Sequence, residues 1–300
     1  MNETAVTVLV DNEAGEGLRA EHGLSLLVEA GGRTVLFDTG QGAALRHNAP
    51  RLGACLGSID ALVLSHGHYD HTGGVAEVLS AAPRARLIMH PNAALERYSV
   101  PPGKEPRAVG MPAAVRETIL RLPAGAVVEA LAPVGLGPGI GVTGPIPRET
   151  AWEDIGGPFF MDPHRRRPDA LEDDQALWIA TPGGAIVCVG CSHAGLINTL
   201  RYVRRVSGIE TIRAVIGGFH LCNAKKRRME ETRKALQAAA PGVLLPCHCT
   251  GGEAVRALRD EECLRVAPCR AGARFHFSPH TAGECGVTSV PPGIAKEVAQ

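Results

Sequence analysis

The stretch Ala61-Leu62-Val63-Leu64-Ser65-His66-Gly67-His68-Tyr69-Asp70-His71-Thr72-Gly73-Gly74 places three histidines and an aspartate within six residues, directly behind a short apolar run. A run this short and apolar, followed by glycine and polar residues, reads as a buried strand that ends in a loop. The loop then enters a predicted helix from Val75 to Ser80 through Gly73-Gly74. His66 and His68 are two apart, so in extended backbone both point to one side. Asp70 and His71 follow where the chain turns and approach from another direction. Imidazoles with a hard carboxylate suit zinc, iron or manganese, and four such groups exceed what one tetrahedral ion needs from a single loop. The spacing therefore predicts a loop that serves two metal ions.

Outward from this loop, histidines recur where short apolar strands end. Toward the N-terminus, Thr4 to Val10 reads as a strand, and Leu24 to Glu29 with Arg33 to Phe37 as a hairpin across Gly31-Gly32, closing at Asp38-Thr39-Gly40. Toward the C-terminus, Ala176 to Ala180 and Ala185 to Val189 form a second hairpin, which runs into Gly190-Cys191-Ser192-His193. Ala214 to Ile216 exits into Gly217-Gly218-Phe219-His220, and Val243 to Leu245 into Pro246-Cys247-His248-Cys249. Helices are predicted over Leu196 to Val206, Lys225 to Ala239 and Glu253 to Leu258, with a last strand at Arg274 to Phe277. A lone histidine is more often a satisfied core or surface group. Four strand exits that each carry one form a pattern, because ligand sites in layered α/β proteins gather where strand ends converge.

The segment from Tyr98 to about Asp169 is rich in proline and glycine. It offers one helix, Ala113 to Leu122, and two short strands, Val127 to Leu131 and Ile140 to Val142. So long a segment with little regular structure reads as a lid or substrate-facing loop. The expected organisation is one domain over 1–280 with a lid-like insertion at about 98–170, and a loose tail over 281–300.

Composition narrows the function classes. An apolar fraction of 45% and a charged fraction of 21% belong to a soluble globular chain, and 300 residues supply a sizeable core. Zero formal net charge and a pI near 7.2 argue against a nucleic-acid binder or a general attraction to anionic membranes. Arg165-Arg166-Arg167 is a short basic run, a solvated loop or an aid to an anionic substrate. Nine scattered cysteines, an odd number, do not read as a disulfide framework. With no signal peptide or apolar span apparent, the expectation is a cytoplasmic protein that takes a small-molecule substrate, with a homo-oligomer left open.

The run His66-x-His68-x-Asp70-His71 resembles the signature of the metallo-β-lactamase superfamily. Oxygen-reducing di-iron members carry Glu where this chain has His68, which points away from that branch. Several further motifs narrow the resemblance: Glu21-His22-Gly23-Leu24-Ser25, Leu36-Phe37-Asp38-Thr39-Gly40, Thr143-Gly144-x-Ile146-Pro147-Arg148, Asp173-Asp174-Gln175, Gly190-Cys191-Ser192-His193-Ala194-Gly195, Gly217-Gly218-Phe219-His220-Leu221 and His248-Cys249-Thr250-Gly251. Together, over roughly residues 4 to 280, they look like the dihydropteroate-synthase-like branch that holds the 7,8-dihydropterin-6-methyl-4-(β-D-ribofuranosyl)aminobenzene-5′-phosphate synthases.

This resemblance implies an α/β (α+β) fold, a four-layer αββα sandwich with the site at one edge between the sheets. It implies two divalent metal ions, zinc first, with iron or manganese as alternatives. His66 and His68 would hold one ion, Asp70 and His71 the other, and His248 would complete the second site. Many members add a histidine and a bridging aspartate between these. Here His193 is the preferred ligand, with Asp174 next in line and Cys191 a soft alternative or simply a small buried residue. Cys247 and Cys249 flank His248, would point away from it in a strand, and read as structural. Asp38 is either a turn former or a brace beneath the metal loop. Arg148 is a candidate phosphate clamp or an ordinary surface arginine. Glu21 and His22 are placed at the substrate, and Asp70 and His220 in catalysis, with His220 and His22 also open to supporting roles. The activity expected is a metal-dependent hydrolase or transferase on a phosphate-bearing, pterin-related molecule, through a bridging hydroxide or a stabilised diphosphate leaving group. The rivals are a hydrolase of lactones or thioesters, and a metal-containing sensor without turnover.

Overall fold

The computed structural model describes residues 3–278; the expected tail at 281–300 lies outside them. The first half supplies β1 (Thr4–Val10), β2 (Ser25–Ala30), β3 (Arg33–Phe37), α1 (Ala43–Arg51), β4 (Ala61–Val63), the single turn α2 (Tyr69–Thr72), α3 (Val75–Ala81) and β5 (Arg86–Met89). Between the halves come β6 (Tyr98–Ser99), β7 (Arg107–Ala108), α4 (Ala113–Leu120), β8 (Val127–Glu129), β9 (Val134–Gly137), β10 (Ile140–Val142) and β11 (Phe159–Phe160). The second half supplies β12 (Ala176–Thr181), β13 (Gly184–Val189), α5 (Leu196–Ser207), β14 (Ile212–Gly218), α6 (Lys226–Ala239), β15 (Val243–Cys247), α7 (Gly252–Arg259) and β16 (Arg274–Phe277).

Two large sheets result, in the orders β16-β1-β2-β3-β4-β5-β8 and β15-β14-β13-β12-β10-β9. Their strands are apolar on both faces, because each sheet is covered on both. In β4, Ala61 and Val63 face the opposite sheet while Leu62 and Leu64 face α3; in β13, Ile186 and Cys188 face inward while Val187 and Val189 face α5. The inner layer joins Val28, Phe37 and Ile88 of one sheet to Leu177, Ile186 and Ile216 of the other. Each fully buried Leu, Ile or Phe here contributes about 1.5–3 kcal/mol. Helices α1, α3 and α4 cover the first sheet and α5, α6 and α7 the second, which makes the four-layer αββα sandwich.

The topology also locates the site. Strands β3, β4 and β5 run parallel, as do β13, β14 and β15, so their carboxyl ends gather along one edge of the sandwich. The middle segment is a correction to the sequence reading. Residues 113–142 are not lid: β8 extends the first sheet beside β5, and β9 and β10 extend the second beside β12. What remains outside the sheets is a small antiparallel sheet, β11-β6-β7, together with the loops of 143–175.

Candidate metal centre

The loop after β4 is held before any ligand is considered. Asp38, at the end of β3, takes the Ser65 backbone N–H on Oδ1 and the Ser65 hydroxyl on Oδ2, both at 2.7 Å. The same Oδ2 lies 2.7 Å from Nδ1 of His71, and Ser65 Oγ lies 2.9 Å from Nδ1 of His66. Asp38 thus sets two rings at once, directly and through Ser65. Gly67 is required by space: a Cβ there would sit 2.0 Å from the Ala93 carbonyl oxygen. Its N–H donates to Asp173 at 2.8 Å.

On this frame the strand exits deliver two groups of ligand atoms. In the first, Nδ1 of His68 faces Nε2 of His66 at 2.9 Å and Nε2 of His193 at 3.3 Å. In the second, Nε2 of His71 and of His248 are 3.2 Å apart, and Oδ2 of Asp70 lies 3.9 and 3.6 Å from them. The outward ring nitrogens are fixed in turn. Nδ1 of His193 meets the Ile155 carbonyl at 2.8 Å, and Nδ1 of His248 meets Asn12 at 2.9 Å, as expected where outer partners orient ligands. Cys191 Sγ is 3.3 Å from Nε2 of His71. It belongs to ligand-atom clusters with His66 and His71, with His193 and His220, and with His248 and Cys249, in each of which all atoms lie within 4.8 Å of one another.

Electrostatics test whether cations fit. Burial, reinforced by neighbouring imidazoles, pushes His66 and His193 well below the ordinary histidine value, His68 to about 3 and His248 to about 4. These four rings are therefore neutral at pH 7, as metal ligation requires. A neutral imidazole has one N–H, so protons do not satisfy the set: His68 Nδ1 faces two nitrogens and serves one. His71 differs, because Asp38 and Asp70 outweigh burial and raise it to about 9. Burial opposes charge on Asp70, yet the surrounding histidines, His71 first, hold it ionised far below the usual carboxylate range. Neutral imidazoles, an ionised carboxylate and a cysteine facing a shared space are a donor set for transition-metal cations.

Several expected residues lie elsewhere in role. Glu21 accepts from the backbone of Gln41 at 2.7 Å and of Ala44 at 3.0 Å, anchoring the start of α1. Arg148 is similarly engaged. Its two terminal N–H groups donate to the carbonyls of His193 and Ala170, each at 2.6 Å, so the fork that would grip phosphate ties down the His193 loop. Asp174 stands outside the ligand clusters, with Oδ2 taking the Ala194 N–H at 2.6 Å and burial lifting its carboxyl to about 7. His22 sits at the rim with its side chain 53% exposed, and Nε2 is 3.2 Å from Asp70 Oδ2. His220 packs on His193, ring centroids 4.4 Å apart, with Nε2 3.2 Å from the Gly156 carbonyl.

Sequence reasoning missed five contributors. Phe159 of β11 covers the first group, its ring 4.8 Å from that of His68 and 5.4 Å from that of His193. Asn12 and Asp11, just past β1, grip His248, Asp11 by taking its backbone N–H at 2.7 Å. Arg97, buried, pairs with Asp173 at 2.6 Å and Asp169 at 2.8 Å. Cys249 turns inward instead of away, because His248 adopts a left-handed φ of 51° in the turn that follows β15 and breaks the strand alternation. Of these, the Asp11-Asn12 pair at a strand exit was the one visible signal.

The comparisons agree with this geometry. Residues 18–196 match the model of the metallo-beta-lactamase superfamily. The 7,8-dihydropterin-6-methyl-4-(beta-D-ribofuranosyl)-aminobenzene-5′-phosphate synthase of Methanocaldococcus jannaschii is 33% identical over 81% of this chain and 85% of its own length. An uncharacterized protein of the same organism is 31% identical over 84% of this chain and 93% of its own. Among solved structures, Tm1679, described as a metal-dependent hydrolase of the beta-lactamase superfamily, superposes with a TM-score of 0.78 at 29% identity, covering 92% of this chain and 99% of its own. Fold, ligand clusters and matched length converge on one assignment: this chain belongs to the metallo-β-lactamase superfamily.

Proposed function

We propose that the chain is an enzyme that uses two divalent cations, zinc first, to hydrolyse or transfer a group on a small phosphate-bearing, pterin-related molecule. The observation that carries this reading is the adjacency of two complete donor groups, His66–His68–His193 and Asp70–His71–His248, on one buried floor. The similarity to the archaeal synthase supplies the substrate class. Bound there, two cations supply Lewis acidity on both oxygens of a displacement. The chain's own groups do the rest. Phe159 keeps water from the first group, and Asp38, Asn12 and the Ile155 carbonyl fix the rings. His22, raised above its ordinary value by its hydrogen bond to Asp70, stands half-exposed at the entrance and can hold a proton at Nε2 beside the ionised Asp70. His220 lies across the site beside His193 as the second candidate proton donor.

The test assays purified protein, chelated and then reloaded with zinc, on phosphodiesters, lactones, thioesters, and a pterin diphosphate offered with an aromatic amine. The expected result is turnover of a phosphate-bearing compound that vanishes on chelation and returns with zinc. Turnover confined to lactones or thioesters, or none on any compound, overturns the reading.

A further inference from the structure

Between the two donor groups no carboxylate among the described residues is available to be shared. Asp174 is turned to the Ala194 N–H, and Asp173 is consumed by Arg97 and the Gly67 N–H. Asp70 Oδ2 stands within 4.8 Å of His22 and His248 ligand atoms but joins no cluster with His66, His68 or His193. The side chain at the centre is Cys191, 3% exposed, on the turn that leaves β13. Its sulfur clusters with His66 and His193 of the first group and with His71 and His248 of the second. Among the described residues it is the one sulfur or carboxylate donor whose clusters include members of both groups. The turn is built for this placement: Ser192 adopts a φ of 53° and its hydroxyl donates to the Gly218 carbonyl at 2.9 Å. Gly190 has no room for a side chain, since a Cβ would lie 2.0 Å from Ser65 Oγ.

We propose that Cys191 is the ligand common to both cations, and that its sulfur selects zinc over manganese or magnesium. The inference rests on the two-cation reading above. On binding, the thiol releases its proton to solvent and the sulfur donates one lone pair to each cation; no electron transfer is involved. Thiolate favours zinc because soft donors bind it far better than they bind the harder, oxygen-seeking cations. Cys249, whose sulfur lies near that of Cys191 and a ring nitrogen of His248, remains outside the shared position.

The experiment is zinc K-edge absorption on the intact protein loaded to saturation, with metal content measured alongside, and repeated on Cys191→Ser, Cys249→Ser and Cys247→Ser. Cobalt loading of the same proteins gives an independent readout in the sulfur-to-cobalt charge-transfer band. The expected result is two zincs per chain with an average of one sulfur neighbour per zinc at about 2.3 Å. That signal and the cobalt band persist in Cys249→Ser and Cys247→Ser. Both disappear in Cys191→Ser, which retains zinc roughly tenfold or more less tightly, while manganese retention changes little. Two zincs with no sulfur neighbour, with half a sulfur per zinc, or with sulfur that vanishes in Cys249→Ser overturn the shared thiolate and leave the two-cation reading standing. Fewer than two cations per chain overturn that reading and the inference with it. The measurement on the unmutated protein decides between these outcomes even if Cys191→Ser fails to fold.

Discussion

Asp38 occupies a backbone conformation that few non-glycine residues adopt, with a φ of 62°, and Ser192, His220 and His248 share that region at 53°, 48° and 51°. Each such position costs on the order of 1–3 kcal/mol and persists only where surrounding bonds over-determine it. At Asp38 those bonds are the two from Ser65 and the one to His71. Asp38→Asn keeps the shape but replaces one acceptor oxygen by a donor, so either Ser65 or His71 loses its partner. Its effect belongs to the cation more than to folding. We expect zinc affinity, measured by competition with a chromophoric chelator, to fall about 10–100-fold. An unchanged affinity would reduce Asp38 to a turn former, the alternative that sequence left open. The sequence showed an aspartate after a strand. It did not show that one oxygen would serve a ligand beyond the neighbouring strand.

At the scale of elements, regular patterning was legible and the crossing between halves was not. Strands β2, β3, β12 and β13 and helices α3, α5 and α6 announced themselves through apolar period and turn residues, and the structure places them within about two residues of expectation. Helix α1 was missed because Pro50 lies in its last turn and its first turn, Gly42-Ala43-Ala44, carries no side-chain cap; Glu21, remote in sequence, receives the Ala44 N–H. In the 98–170 segment the strands at β8 and β10 were legible, but their membership of the two main sheets was not, because it rests on pairing with β5 and β12, remote in sequence. The gathering of the histidines was legible, since histidines at strand exits need only the strands to be found. Its supports were not, being long-range pairings. Arg97 is the clearest: it follows β5 by a short loop and joins that loop to Asp169 and Asp173, which in turn holds the metal loop through Gly67. Removing it strands two buried carboxylates. Arg97→Met is predicted to lower stability by about 3–5 kcal/mol, read as a fall in the urea midpoint with an unchanged slope. A loss below about 1 kcal/mol would mean that the carboxylates find water or protons instead.

For the whole molecule, stacking so many imidazoles on one dry floor makes the metal-free protein a pH-sensitive object. His66, His68, His193 and His248 are held below their ordinary value by burial, with His68 at about 3 and His248 at about 4. Below 6.5 these rings resist protonation when folded and take protons when unfolded, so they make stability rise with pH toward that value. Asp11 and Asp174 act the other way. Burial lifts them to about 6 and about 7, so they are protonated when folded and ionised when unfolded over much of the same range. Four imidazoles against two carboxyls leave a net uptake of about two protons on unfolding, or about 2–3 kcal/mol per pH unit. Above pH 6.5 the sign reverses for His71. Its folded value of about 9 means that its stabilising charge, fully present below 6.5, is lost as pH climbs through 9. The chelated protein should therefore be most stable near pH 6.5–7, with the acid side the steeper. Denaturant unfolding of chelated protein at half-unit pH steps measures this directly. Zinc-loaded protein should keep its midpoint on the alkaline side, because a cation at Nε2 takes over from the proton on His71. A flat profile without metal would mean that the rings are hydrated and that the two donor groups do not close into a dry floor.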